Sequence, residues 1–347
     1  VIELRSDTFT LPTSAMLRAM GEAPLGDDVY GEDPTVRELE ERAAHVLGKE
    51  AACLLPSGTM ANLASILVHC PRGSKALVGA ESDIYVYEAA GASVCGGVAY
   101  EPLPNQPDGT IELADLRRGF PDDPDDPQFA LPALICLENT QNRCGGAVLP
   151  FHYLAEVRRF ADERGVPVHL DGARLFNAAV ALGVPASEIA RYADSVQFCL
   201  SKGLSAPIGS IAAGTRDFVT SVRRVRKMLG GGMRQAGVIA AAGIVALGEV
   251  DRLAEDHANA RLLADGLADV PGIEIDPSSV RTNILMFRVK DPRFTWQSFV
   301  DSTRVRGLSI AELGHGRLRA VTHAGVSAAD VTKAVEIVRA TLATGPA

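Results

Sequence analysis

The chain has 347 residues, 47% of them apolar and 22% charged, with 43 acidic against 34 basic side chains and a formal net charge of −9. That composition builds a globular fold with a large core rather than a disordered chain. The acidic balance, with no Lys/Arg-rich run, excludes the basic footprint that nucleic acids and anionic membranes require. The longest apolar stretches, such as 238–247, are too short to cross a bilayer, and the opening VIELRSDTFT lacks a basic-then-apolar leader pattern. A cytoplasmic location is therefore expected. Six cysteines, none in a CxxC pair, read as reduced core residues rather than disulfides or metal ligands.

In chain order, the first twenty-odd residues look loop-like. LLPSGTMANLASILVH then reads as an apolar strand that breaks after Leu55 and becomes a helix. Ser57, Gly58 and Thr59 would place N–H groups and hydroxyls at that helix start, a seat for phosphate, although Ser-Gly-Thr alone is also a plain helix cap. SKALVGAES, GGVAYEPL, LPALICLEN, VPVHLDGA, DSVQFCLS and GSIAAG are short, apolar and bounded by turn residues, so they read as strands. FPDDPDDPQ, acidic and broken by proline, reads as an exposed loop. PFHYLAEVRRFADERG carries proline at its entry and glycine at its exit, as a helix does. Alternation of this kind predicts an α/β fold with a mostly parallel sheet flanked by helices. Past Gly232 the pattern is helical to Leu267; strand, helix, strand, strand and helix signals follow to the end. The expected division is a large unit over 1–249, including the N-terminal segment, and a smaller α+β unit over 250–347.

Ligands of open parallel sheets bind beyond the carboxyl ends of the strands. There VHLDGARLF ends on Asp171, with Arg174 close behind, and FCLSKGLSAPIG ends on Lys202. A phosphate seat, an acid at one strand end and a lysine at the next form the set that pyridoxal 5'-phosphate needs. The lysine amine, desolvated and lowered in pKa, forms a Schiff base, and the carboxylate keeps the pyridine nitrogen protonated. Small residues around Lys202 would let a cofactor approach the backbone.

LRSDTFTLPT, GDDVYGEDPTVRELE, LPSGTMANL, LENTQNRCGG, HLDGARLFNA, CLSKGLSAPIGS, RKMLGGGMRQAGVIAAAGI and RLRAVTHAGVS together resemble the low-specificity L-threonine aldolases, over almost the whole chain. The resemblance implies the aspartate-aminotransferase-like fold and cleavage of a β-hydroxy-α-amino acid to glycine and an aldehyde. It implies Lys202 as the Schiff-base lysine, Asp171 on the pyridine nitrogen, and Ser57, Gly58 and Thr59 on the phosphate. Arg174 would lie beside the cofactor and, with Ser6 and Arg319, hold the substrate carboxylate. It further implies a homotetramer, with Tyr30, Arg226 and Lys227 reaching a neighbouring subunit's site.

Two positions depart from the family pattern. Asp83 stands where a histidine stacks on the cofactor ring, and Gln141 where a histidine lies near the substrate hydroxyl. Aspartate cannot stack, and glutamine can hydrogen-bond a hydroxyl but does not titrate; Gln141 is a candidate catalytic residue with Lys202 and Asp83. Asp83 is a candidate base, or a helix cap. The alternatives to aldol cleavage are racemisation or β-elimination on the same scaffold; a non-catalytic binding module sits poorly with the retained Lys202, Asp171, Arg174 and Arg319. His169 is expected to be a buried structural residue that points away from the cofactor.

Overall fold

The computed structural model describes residues 1–346. Seven strands, β1 (Ala51–Leu55), β2 (Lys75–Gly79), β3 (Ala99–Leu103), β4 (Pro132–Glu138), β5 (Val168–Asp171), β6 (Ser195–Cys199) and β7 (Ser210–Gly214), form one sheet in the order β1-β7-β6-β5-β4-β2-β3. Only β7 opposes the others, pairing antiparallel with β6 and β1. The carboxyl ends of the remaining six strands therefore share one edge, which gathers their terminal residues.

Helices cover both faces, and every residue of β6 and β7 is buried. This is why these strands read as continuous runs rather than alternating patterns. Leu39, Leu54, Leu77, Ile135, Leu170, Phe198 and Ala240 belong to the main core, and Cys53, Leu55, Ala61, Ala64, Ala212, Phe218 and Val222 to a second cluster. Buried hydrophilic side chains in such strands, here His169, Ser195, Gln197 and Ser210, need partners and point to chemistry. Helix α1 (Ser14–Glu22) precedes α2 (Pro34–Leu47), which starts on Asp33 accepting from the N–H groups of Thr35 and Val36. Helix α3 (Gly58–His69) starts on Ser57, whose side chain accepts from Met60 N–H.

A smaller four-stranded antiparallel sheet orders Ala311–Glu312, Leu318–Val321, Ile284–Val289 and Ile273–Glu274. With helices Leu253–Ala268, Trp296–Val305 and Ala328–Thr344 it surrounds a core that includes Leu263, Leu285, Phe287, Phe299, Leu318 and Val331. The expected strand LSIAEL divides: Leu308–Ser309 and Ala311–Glu312 pair with different neighbours. Ile2–Glu3 pairs in parallel with Leu308–Ser309, and Ile2 and Leu4 belong to the smaller core. Two residues cannot make a strand alone, and that edge supplies the partner. Among the described residues, no helix is long and apolar enough to cross a membrane.

Candidate active site

The shared strand edge encloses a cavity of about 150 Å³ whose wall includes Ser57, Gly58, Thr59, Asn62, Asp83, Glu88, Asp171 and Lys202. Asp171 ends β5 and is fully buried. Its Oδ1 accepts from Ala173 N–H at 3.0 Å and Gln197 Nε2 at 2.5 Å, and its Oδ2 from Asn62 Nδ2 at 2.9 Å. Burial raises the Asp171 pKa, while Lys202 pulls it down. Gly172 follows because a Cβ there would come within 2.7 Å of the Gln197 carbonyl oxygen, so the strand can turn toward Arg174 only without a side chain.

Lys202 lies three residues beyond β6, on a turn tied from three sides. Its carbonyl accepts from Ser205 N–H at 2.9 Å and Thr10 Oγ1 at 2.8 Å, and Arg252 donates to the Gly203 carbonyl at 2.8 Å. The turn puts Ser205 in the left-handed region at φ 65°. The backbone is thus anchored while the amine makes no hydrogen bond among the described residues. The expected lowering of its pKa is corrected. Burial pulls the amine down, but Cys199, Asp83 and Asp171 outweigh burial and Arg174, and the pKa lies above the ordinary lysine value. Lys202 is the counter-cation of an acidic cavity.

Arg174 forms a two-pronged pair with Asp7, Nε to Oδ2 and one Nη to Oδ1, both at 2.7 Å and both groups buried. Its partner is therefore not Asp171, the structural alternative that adjacency suggests. Burial opposes the charge on Asp7, yet Arg174 drives its pKa well below the carboxylate range. Asp7 is a site-forming residue that sequence reasoning missed; its only signal is the turn SDTF, in which Ser6 accepts from Thr8 N–H. Arg319 donates to Asn142 Oδ1 at 2.6 Å and to the Arg5 carbonyl at 2.9 Å, while its buried Nε has no hydrogen-bond partner. Burial and the neighbouring Arg174 charge lower its pKa to about 10. Both favour an arriving anion.

Asp83 is the first residue of the short helix Asp83–Val86 rather than its cap. Its carboxylate accepts from Asn142 Nδ2 at 3.0 Å, and its own N–H donates to Glu138 at 2.8 Å. Glu138 also accepts from Asn142 N–H at 2.8 Å; burial, followed by Asp83 and Asp171, raises its pKa far above the usual range. Glu88, on the cavity wall, is likewise raised, chiefly by burial and Asp171. Gln141 is turned away from the site. Its Nε2 donates to the Glu81 carbonyl at 2.8 Å and its Oε1 accepts from Cys144 N–H at 2.7 Å, so both ends of the amide are spent on its own loop. The neighbouring Asn142 faces Asp83 and Arg319 instead.

His169 is buried, but its expected direction is corrected. Two residues before Asp171 on a strand is the same face, not the opposite one. Both side chains meet Asn62. Tyr30 is exposed in a separate cavity of about 680 Å³ with Arg226 and Lys227, where Arg226 pairs with Asp28 at 2.8 Å. Within one chain these three do not join the Lys202 cavity.

The donor set suits a planar cation carrying phosphate. The first N–H groups of α3 have no acceptor within the helix. Asp171 offers a fixed anion, and Lys202 an unshared amine.

The family of β-eliminating lyases matches residues 3–291. The chain is 49% identical over 290 residues to the low specificity L-threonine aldolase of Escherichia coli (strain K12), covering 83% of this chain and 85% of that one. It is 44% identical over 333 residues to the low-specificity L-threonine aldolase 1 of Arabidopsis thaliana, covering 95% and 93%. A solved threonine aldolase structure from Leishmania major has the same fold, with a TM-score of 0.83 at 19% identity over 99% of this chain and 100% of that one.

Proposed function

The chain belongs to the β-eliminating lyase family and is a threonine aldolase-like lyase, and from that premise we propose that it cleaves a β-hydroxy-α-amino acid such as L-threonine or L-allo-threonine to glycine and an aldehyde, with pyridoxal 5'-phosphate held by Lys202. The observation that carries this reading is that Asp171 and Lys202 line one cavity together with Ser57, Gly58 and Thr59 at the start of α3. When bound, the cofactor supplies an electron sink for the charge left at the substrate's α-carbon.

This chain's own residues do the rest. Ser57, Gly58 and Thr59 hold the phosphate with hydroxyls and free N–H groups, and Asp171 holds the ring cation. Lys202, whose amine makes no hydrogen bond in the fold, would hold the cofactor as the Schiff-base nucleophile. Arg319 and Ser6 hold the substrate carboxylate, with Arg174 kept in place by Asp7. The Arg319 guanidinium also donates to Asn142, which donates to Asp83. The group that grips the carboxylate therefore also positions the carboxylate that takes the β-hydroxyl proton. Asp83, or a water it holds, is the base in place of an imidazole. Gln141 orders the loop beneath it. Assembly into a homotetramer, with Tyr30, Arg226 and Lys227 at a neighbour's site, belongs to the same reading.

The test is product analysis with purified holoenzyme on a panel of β-hydroxy amino acids, followed by borohydride reduction and peptide mapping. Equimolar glycine and aldehyde, with the adduct on Lys202, are expected. A D-amino acid, or an α-keto acid with ammonia, would replace aldol cleavage by racemisation or elimination. An adduct elsewhere removes the assignment of Lys202.

A further inference from the structure

A hydrogen-bonded chain runs behind Asp171, between α3 and the sheet. His69 Nε2 lies 2.8 Å from Ser195 Oγ, which lies 2.8 Å from His169 Nδ1; His169 Nε2 lies 3.0 Å from Asn62 Oδ1. Asn62 Nδ2 then donates to Asp171 Oδ2 and Glu88 Oε1, each at 2.9 Å. Asn62 and His69 are seven residues apart on α3, two turns along one stripe, while His169 and Ser195 sit on adjacent paired strands β5 and β6.

The Asp171 carboxylate sets the direction of donation along the chain. The carboxylates accept, so the Asn62 amide nitrogen faces them and its oxygen faces His169. His169 must donate through Nε2–H. Burial holds both imidazoles neutral, with pKa values near 3 for His169 and near 4 for His69. His169 Nδ1 is then an acceptor, which Ser195 O–H fills, and Ser195 Oγ accepts from His69 Nε2–H. Reversing Asn62 would aim its oxygen at the Asp171 carboxylate, setting two acceptors 2.9 Å apart.

We propose that His169, backed by Ser195 and His69, is a positioning residue that locks Asn62 as a donor and so keeps Asp171 in its charged form, ready for a cationic ring. The part about the ring rests on the cofactor reading above; the chain of donors does not. Three donors on Asp171 oppose the effect of burial, and the one from Asn62 depends on an imidazole that touches neither substrate nor cofactor.

The test compares His169→Leu, His169→Gln and Ser195→Ala with the unaltered holoenzyme, after ¹⁵N NMR of histidine-labelled protein. Both His69 and His169 are expected as neutral Nε2–H tautomers; an Nδ1–H signal for His169 reverses the chain and overturns the proposal. His169→Leu is expected to weaken retention of pyridoxal 5'-phosphate about 10-fold and to lower kcat about 10-fold, with KM for the amino acid within about 2-fold. His169→Gln, which can still donate to Asn62 and accept from Ser195, restores both to within about 3-fold. Equal damage in the Leu and Gln variants means that His169 only fills space, and the proposal fails. If His169→Leu does not fold, Ser195→Ala carries the comparison: a loss of about 3-fold or more in cofactor retention supports the chain, and unchanged retention overturns it. A borohydride adduct absent from Lys202, with both tautomers as assigned, would instead count against the proposed function alone.

Discussion

Asp7 and Asp171 are both fully buried and both face a cation, yet their environments push them in opposite directions. Asp7 meets the fork of Arg174 with both oxygens and is driven below the usual range. Asp171 accepts three hydrogen bonds but has no direct ion pair, its pKa is raised by burial, and its nearby cation Lys202 makes no hydrogen bond. The first pair is complete within the chain. The second is half of an interaction, with a cavity where the other half belongs. A saturated buried pair builds a wall; an unsaturated one beside a cavity marks where a ligand enters.

The comparison breaks most severely at the open pair. Lys202→Ala should lower glycine release by about 10⁴-fold or more, because the amine that would hold the cofactor is lost. At the closed pair the pattern inverts. Asp7→Asn leaves Arg174 buried without its counter-ion, and a loss of about 3–5 kcal/mol is expected in urea unfolding. The pH dependence follows the sign of the shift: a depressed carboxylate stabilises the fold above its unfolded pKa and loses that contribution as pH falls through the folded one. The Asp7→Asn variant should therefore show a flatter decline below about pH 4.

Smaller effects sharpen the contrast around the cavity. Asp83→Asn keeps an acceptor for Asn142 but cannot take a proton, so kcat should fall about 100-fold in steady-state assays with little change in stability. His169 and His69, held neutral near pKa 3 and 4, bind protons less readily folded than unfolded. Each should weaken the fold by about 1.4 kcal/mol per pH unit as pH falls from about 6.5 toward its folded pKa, with full stability above that window. Urea midpoints at pH 7 and pH 5 measure this, and His169→Leu should lessen the difference. The smallest change is expected from Gln141→Ala, with kcat within about 3-fold and a stability loss of about 1–3 kcal/mol from two emptied hydrogen bonds. A kcat loss as large as that of Asp83→Asn would return Gln141 to the chemistry.

Some of the site was legible before folding was considered. Lys202 after an apolar strand, Asp171 at the end of another and Ser-Gly-Thr opening a helix are contrasts within a few residues, and local backbone rules record them. Gln141 and His169 were misplaced because each required knowing which way one side chain points, on an irregular loop and on a short strand. Asn62, Glu88, Glu138 and Asn142 carried no signal at all. Each is an ordinary helix, loop or strand-end residue until a distant partner arrives.

The sequence by itself determined the alternation of strands and helices, the strand ends that carry the acid and the amine, and the helix start that awaits an anion. Propensities, caps and turns act between near neighbours, so they can be read along the chain. Only the tertiary structure decided that Arg174 belongs to Asp7, 167 residues away, that Asn62 reaches Asp171 across 109, and that the carboxylates around Lys202 raise its pKa. Those outcomes depend on burial and on the summed field of groups remote in sequence, which come together only once the sheet has assembled.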